Sequence, residues 1–255
     1  MTATQKPPLT FGSLFAGIGG FDLGFERAGM VCKWQVEIDD YATRVLEKHW
    51  PDVRRHRDVR TFPEGPADDW RVDVICGGFP CQDISHAGKG AGIQGERSGL
   101  WSEIVRIVRV LGPRFVVVEN VAAITSRGLD SVCRDLAEVG FDAEWEVLSA
   151  KAFGSPQRGR TRLFLVAYPA KVFGDGGTDN EQRRRKCKSK IPESRNGRSA
   201  PIRYRSNWTN NQPGVLRMAD GLSNWVDRLG CLGNAVVPQV AEWIGRRIVE
   251  SYETG

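Results

Sequence analysis

Residues 11–29 read FGSLFAGIGGFDLGFERAG, and the reading of this stretch decides the fold. Residues 10–15 form a short apolar segment that runs into Gly17, Gly19 and Gly20, and residues 21–28 then carry a helical pattern stopped at Gly29. A strand, a glycine turn and a helix in that order open a βα unit in which a ligand lies beyond the carboxyl end of the strand. The dinucleotide fingerprint G-x-G-x-x-G needs a glycine where this chain has Asp22, so that ligand class is disfavoured.

The same alternation continues outward. Strands are expected over residues 31–37, 72–76, within 114–119 (the buried run FVVV), near 144–148 and over 162–167. Helices are expected over residues 40–49, halted by Pro51, over 100–110, ended by Gly112 and Pro113, and over 130–139, stopped by Gly140. Buried strands alternating with helices predict an α/β fold, Rossmann-like, with a mostly parallel sheet covered by helices on both faces. Regularity lapses after Tyr168: GDGGTDN at 174–180 reads as a linker, and residues 183–190 are almost entirely basic. A final amphipathic helix is expected over residues 234–249. The organisation predicted is a catalytic body (1–168), a small basic region (169–229) and a C-terminal segment (230–255) that returns to the body.

With 255 residues, 40% of them hydrophobic and 26% charged, the chain can bury the core of one α/β domain and carry a small appendage. No stretch approaches the roughly 18 unbroken apolar residues of a membrane span, and residues 1–8 lack a signal-peptide core. A cytoplasmic protein without a membrane partner is expected. Cys32, Cys76, Cys81, Cys133, Cys187 and Cys231 form no C-x-x-C pair, and there are three histidines. A disulfide framework and a metal centre are therefore not expected. The net charge of +5 is unevenly placed: residues 171–210 hold eleven Lys or Arg against four Asp or Glu, which leaves −2 for the rest. Such a segment fits a polyanionic partner, and equally a solvated loop.

Four places carry chemistry. Glu37, at the end of the second strand, is placed to hold a ribose hydroxyl pair, and Asp58 to accept from an adenine amino group. Glu37 also fits an ordinary strand-end carboxylate, and this end of the chain alone suits S-adenosylmethionine, another nucleotide or no ligand. Gly77-Gly78-Phe79-Pro80-Cys81-Gln82 follows a buried strand, and Pro80 fixes the backbone before the sulfur. A cysteine on such a turn suits a thiolate nucleophile, whereas a structural cysteine belongs inside a strand or helix. Glu119-Asn120-Val121 ends FVVVEN, and a carboxylate leaving so apolar a strand is costly unless it is partnered or used. The plain alternative is a strand-terminal Glu that caps the next element. In Gln157-Arg158-Gly159-Arg160-Thr161-Arg162, Arg160 and Arg162 share a face if the strand begins there, and two guanidiniums can orient a carboxylate, a phosphate or a carbonyl. An exposed edge strand bearing arginines is the alternative.

Taken in order, FGSLFAGIGGFDLGFERAG, the Glu37 strand, Asp58, GGFPCQDIS, RSGLW, ENV, QRGRTRLFLVA and LGNAVVPQV resemble the blocks of the DNA (cytosine-5) methyltransferase family. The blocks span nearly the whole chain outside residues 171–210. The resemblance implies a Rossmann-like S-adenosylmethionine-dependent methyltransferase fold with a small irregular target-recognition region. It implies methyl transfer from S-adenosyl-L-methionine to carbon 5 of a flipped-out cytosine in DNA, giving 5-methylcytosine. Under it, Cys81 attacks carbon 6, Glu119 holds N3 and the exocyclic amine, Arg162 contacts O2, and Arg160 positions Glu119 and the DNA backbone. Phe15, Gly17, Ile18, Gly19, Glu37, Ile38, Asp58, Val59, Pro80 and Leu100 match cofactor-contacting positions, completed by Asn234 and Val236. Residues 82–98 correspond to a flap that closes on DNA, with Gln82, Ser85, Lys89 and Arg97 as DNA contacts. Double-stranded DNA is the implied partner of a monomer without metal, encoded by a prokaryote or phage, with a cognate restriction endonuclease as a further candidate partner.

The main departure lies between the QRGRTR block and the C-terminal block, where little room is left for target recognition. Arg183, Arg184 and Arg185 offer phosphate attraction, while Asn207, Trp208, Asn210, Asn211 and Gln212 are better suited to base edges. Relaxed specificity, or dependence on a short motif, is the expectation. Two rivals remain: a tRNA cytosine methyltransferase, disfavoured because the Cys-Phe-Thr segment of that group is absent, and a catalytically inactive DNA-binding relative, disfavoured by intact Cys81, Glu119, Arg160 and Arg162.

Overall fold

Seven strands, six of them with apolar or β-branched residues, pair into one sheet in the computed structural model, which describes residues 6–80, 99–126, 128–153, 160–170 and 235–254. The strands are β1 (Thr10–Leu14), β2 (Val31–Val36), β3 (Arg54–His56), β4 (Val74–Gly78), β5 (Phe115–Val121), β6 (Phe141–Ser149) and β7 (Thr161–Pro169). Their order is β3-β2-β1-β4-β5-β7-β6. Strands β1 to β5 pair in parallel, and β7 runs antiparallel to both of its neighbours. The strand order reverses between β1 and β4, which opens a crevice at their carboxyl ends. Both the glycine turn and the Gly-Gly-Phe-Pro turn leave from that edge.

Helices α1 (Gly20–Arg27), α2 (Asp40–His49), α3 (Gly99–Leu111), α4 (Leu129–Glu138) and α5 (Pro238–Thr254) complete the body. On one face Leu14, Trp34, Ile75, Val118 and Leu165 pack with Trp101 and Ile107 of α3 and Leu136 of α4. Burying each such side chain contributes about 1.5–3 kcal/mol. On the other face Phe11 meets Phe25 edge-on at 5.4 Å, and Phe21 of α1 meets Phe164 of β7 at 6.3 Å. There α5 lies tightly against α1, because Gly24 faces Ala241 and Gly245 faces Ala28, and a side chain at either glycine would overlap its neighbour. The helices thus cover both faces, as expected.

The differences from the sequence reading have local causes. Strand β4 starts two residues later than expected and runs through Gly77 and Gly78, which pair with Leu14 and Glu119. Strand β3 was not foreseen; its Arg-Arg-His carries no apolar signal and is held by pairing with Trp34, Gln35 and Val36. The last helix begins at Pro238 rather than at 234, with proline in the first helical position, where its missing N–H costs nothing. Strand β7 lies between β5 and β6, so Arg162 is not on an edge strand.

Candidate active site

Glu119 stands near the end of β5, directly opposite Gly78 of β4 and Phe164 of β7. It is only 7% exposed. Its Oε2 lies over Gly78, where a Cβ would come within 2.6 Å of it. Its Oε1 sits 2.9 Å from Nε of Arg162 as an ion pair. Burial pushes the Glu119 carboxyl up to about 7, against the pull of Arg162 and Arg160. Arg160 is just ahead of β7; it donates to the carbonyl of Ala235, and its own ionisation is lowered by burial and by Arg162. Arg160 and Arg162 line one small cleft with Phe164, Val236 and Val237, and the charges of both act on Glu119.

The raised carboxyl has a stability consequence with a definite sign. The folded protein holds this proton more tightly than the unfolded chain, so the contribution is full below about 4.5 and is lost as pH rises to about 7. Glu119→Gln, which mimics the protonated form, should therefore gain on wild type by up to about 3 kcal/mol between pH 5 and pH 8 in denaturant unfolding. An identical difference at both pH values would contradict this.

The cofactor end is built from three loops that follow β1, β2 and β3. Phe15 takes φ 52°, a strained value for a bulky residue, and Gly17 takes φ 56°. Among the described residues nothing lies within 4 Å of where a Cβ on Gly17 would be, so there the turn borders open space. Glu37 accepts from the backbone N–H of Gly17 at 2.7 Å and of Asp39 at 2.8 Å, which locks the turn to the next loop. Ile38 is 59% exposed, an unusual state for a large aliphatic side chain beside a cleft. Asp58 caps a short 3-10 turn by accepting from the N–H of Arg60, and Val59 is buried. The backbone of Val236 crosses the start of α1 at Gly20, so the C-terminal segment does return to this turn.

Glu119, Arg160 and Arg162 are thus brought together, and Phe15, Gly17, Ile18, Gly19, Glu37, Ile38, Asp58, Val59 and Val236 border the loops at the carboxyl edge. Pro80 is exposed and Leu100 is half-buried at the start of α3. Cys81, Gln82, Ser85, Lys89, Arg97, Arg183, Arg184, Arg185 and Asn234 lie outside the described residues, as do residues 171–234 generally. The sequence reading gave Asn120 no role of its own. It is 2% exposed and donates to the Phe79 carbonyl at 3.1 Å, tying β5 to the turn that leads to Cys81. Its place within Glu-Asn-Val was the only available signal. Cys32 and Cys76 are buried beside Asp22, which burial raises to about 6, and both thiols are pushed up by burial; they are structural. No group of metal-ligating side chains occurs among the described residues.

Residues 9–211 match the family model described as C-5 cytosine-specific DNA methylase. The chain is 33% identical over 169 residues to the Type II methyltransferase M.HgiCII of Herpetosiphon aurantiacus, covering 64% of this chain and 38% of that protein. It is 35% identical over 168 residues to the Type II methyltransferase M.HhaI of Haemophilus parahaemolyticus, covering 64% and 50%. It therefore spans half or less of the length of these relatives. Among solved structures, a prophage-encoded DNA modification methyltransferase of E. coli superposes with TM-score 0.53 and 28% identity, over 67% of this chain and 49% of that one. The Entamoeba histolytica methyltransferase EhMeth gives TM-score 0.64 over 97% and 99%, at 14% identity, a likeness of fold alone.

Proposed function

The chain belongs to the C-5 cytosine-specific DNA methylase family, and from that premise we propose that it methylates carbon 5 of cytosine in double-stranded DNA, with S-adenosyl-L-methionine as donor. The observation that carries this reading is the buried Glu119, paired with Arg162 and facing Gly78, three residues before Cys81.

The residues fit the donor. Open space at Gly17, the strained Phe15, the exposed Ile38 and the carboxylates Glu37 and Asp58 line adjacent loops at the switch point of the sheet. Glu37 would hold the ribose, Asp58 the adenine amine, and Phe15, Ile38, Val59, Pro80 and Leu100 the apolar surfaces, with Gly17, Ile18, Gly19, Asn234 and Val236 closing the site. When bound, the donor would supply an electrophilic methyl on sulfonium sulfur, the S–CH3 bond pair staying with the sulfur as a neutral thioether.

The rest is done by the chain. The Cys81 thiolate forms a bond to carbon 6 of a base rotated out of the duplex, and the C5–C6 π electrons move toward carbon 5. Glu119, protonated near neutrality, donates to N3 and accepts from the exocyclic amine, while Arg162 donates to O2, so charge entering the ring is offset. Carbon 5 takes the methyl, loses its proton to a base, and the returning electron pair expels Cys81 as thiolate. Arg160 keeps Glu119 in place and, with Gln82, Ser85, Lys89, Arg97 and Arg183 to Arg185, meets the phosphates. In this reading residues 169–229 form the target-recognition region. The Type II relatives support a restriction-modification setting.

Incubating the chain with plasmid DNA and donor, followed by bisulfite sequencing, should leave cytosines in a short motif resistant to conversion. Resistance confined to one long motif would defeat the expectation of relaxed specificity. Methyl transfer to tRNA with none to duplex DNA would overturn the proposed substrate.

A further inference from the structure

We infer that Arg57 is a positioning residue for the cofactor: it clamps the ribose-holding loop after β2 to the adenine-holding loop after β3. This rests on the cofactor reading above. One guanidinium serves three acceptors, one on the loop after β2 and two on the first turn of α2. Nη1 donates to Oγ1 of Thr43 at 2.6 Å, and Nη2 donates to the Ile38 carbonyl and to Oδ1 of Asp40. Arg57 is immediately before Asp58, and the carbonyl it grips belongs to Ile38, immediately after Glu37. Its spread therefore sets the distance between the two carboxylates that would hold opposite ends of the nucleoside.

The clamp extends a longer lattice. Gly17 donates to Glu37, Asp39 donates to the same carboxylate, Asp39 caps α2 through the N–H of Ala42, and Thr43 donates to the Asp39 carbonyl at 2.7 Å. Arg57 joins the third loop to this series. Loops behind β1, β2 and β3, adjacent in the sheet, are thereby linked through side chains as well as through their strands. A planar fork can satisfy three acceptors in fixed directions, which an ammonium on a flexible stem does not. The pair Arg57–Asp40 is largely exposed, 48% and 81% by side chain, so it adds little to global stability and its value lies in geometry.

Calorimetric titration of the full chain with S-adenosylhomocysteine, alongside steady-state methylation of duplex DNA, tests the assignment. Arg57→Ala should raise Kd about five- to thirtyfold, in proportion to the charged hydrogen bonds lost at a half-exposed site. KM for the donor should rise in step, while kcat at saturating donor and the melting temperature stay close to wild type. Arg57→Lys should recover part of the affinity. Thr43→Val, which keeps the arginine and removes one acceptor, should weaken binding by about two- to fivefold and keeps the idea testable if Arg57→Ala does not fold. Wild-type affinity in both Arg57→Ala and Thr43→Val would overturn the clamp and leave the cofactor reading standing. A wild-type chain that binds no S-adenosylhomocysteine would overturn both.

Discussion

Replacing Cys81 with alanine should abolish methyl transfer to DNA, a loss of about four orders of magnitude or more in kcat, the scale reached when an enzyme loses its nucleophile. The physical reason is that carbon 5 of cytosine is a weak nucleophile until a group adds to carbon 6 and pushes electrons across the ring. The two cysteines buried in the sheet cannot substitute. Cys32 and Cys76 are buried among apolar residues and Asp22, with their thiols held well above the ordinary range, so neither presents a thiolate. S-adenosylhomocysteine binding should persist in the variant, because the loops of Gly17, Glu37 and Asp58 are held by hydrogen bonds of their own. Turnover near the wild-type rate, read by tritium transfer into duplex DNA, would remove the sulfur from the mechanism.

The second large effect is expected at Glu119. Glu119→Ala should lower kcat by about two to three orders of magnitude, as deletion of a group that stabilises developing charge does. Gly78→Ala should move activity in the same direction without touching the carboxylate chemically. A methyl there would lie 2.6 Å from Oε2, and that oxygen belongs to a buried side chain with little room to retreat. The pH profile gives an independent sign. If Glu119 works protonated, kcat/KM should fall above about 7, where the carboxyl ionises, even though a thiolate at Cys81 favours higher pH. Glu119→Gln should lose that falling limb. A profile unchanged by the substitution would assign the limb to another group.

Much of this was legible in the sequence because the decisive signals are local. The bounds of α2 follow from Asp39 as its cap and from Pro51 beyond its end. FVVV gave β5, and the placement of chemistry-bearing residues at strand ends gave the edge of the sheet where they gather. What stayed hidden depends on pairing between distant segments. Arg54–His56 becomes a strand only beside β2. The inner position of β7 requires β6 to pack outside it, and no periodicity announces that. The hydrogen bond from Asn120 to Phe79 crosses 41 positions, and the three acceptors of Arg57 lie 14 to 19 positions away. Such contacts are set by sheet order, which the sequence states only indirectly.

The most direct measurement is a trapping experiment on duplex DNA carrying 5-fluorocytosine at a methylated site, in the presence of donor. Fluorine at carbon 5 cannot leave as a proton does, so elimination of the sulfur is blocked after methyl transfer. The account predicts a denaturation-resistant protein–DNA adduct for wild type, with peptide mapping assigning the bond to Cys81, and none for Cys81→Ala. Efficient cytosine methylation without any such adduct, or an adduct mapped to a different residue, would contradict it.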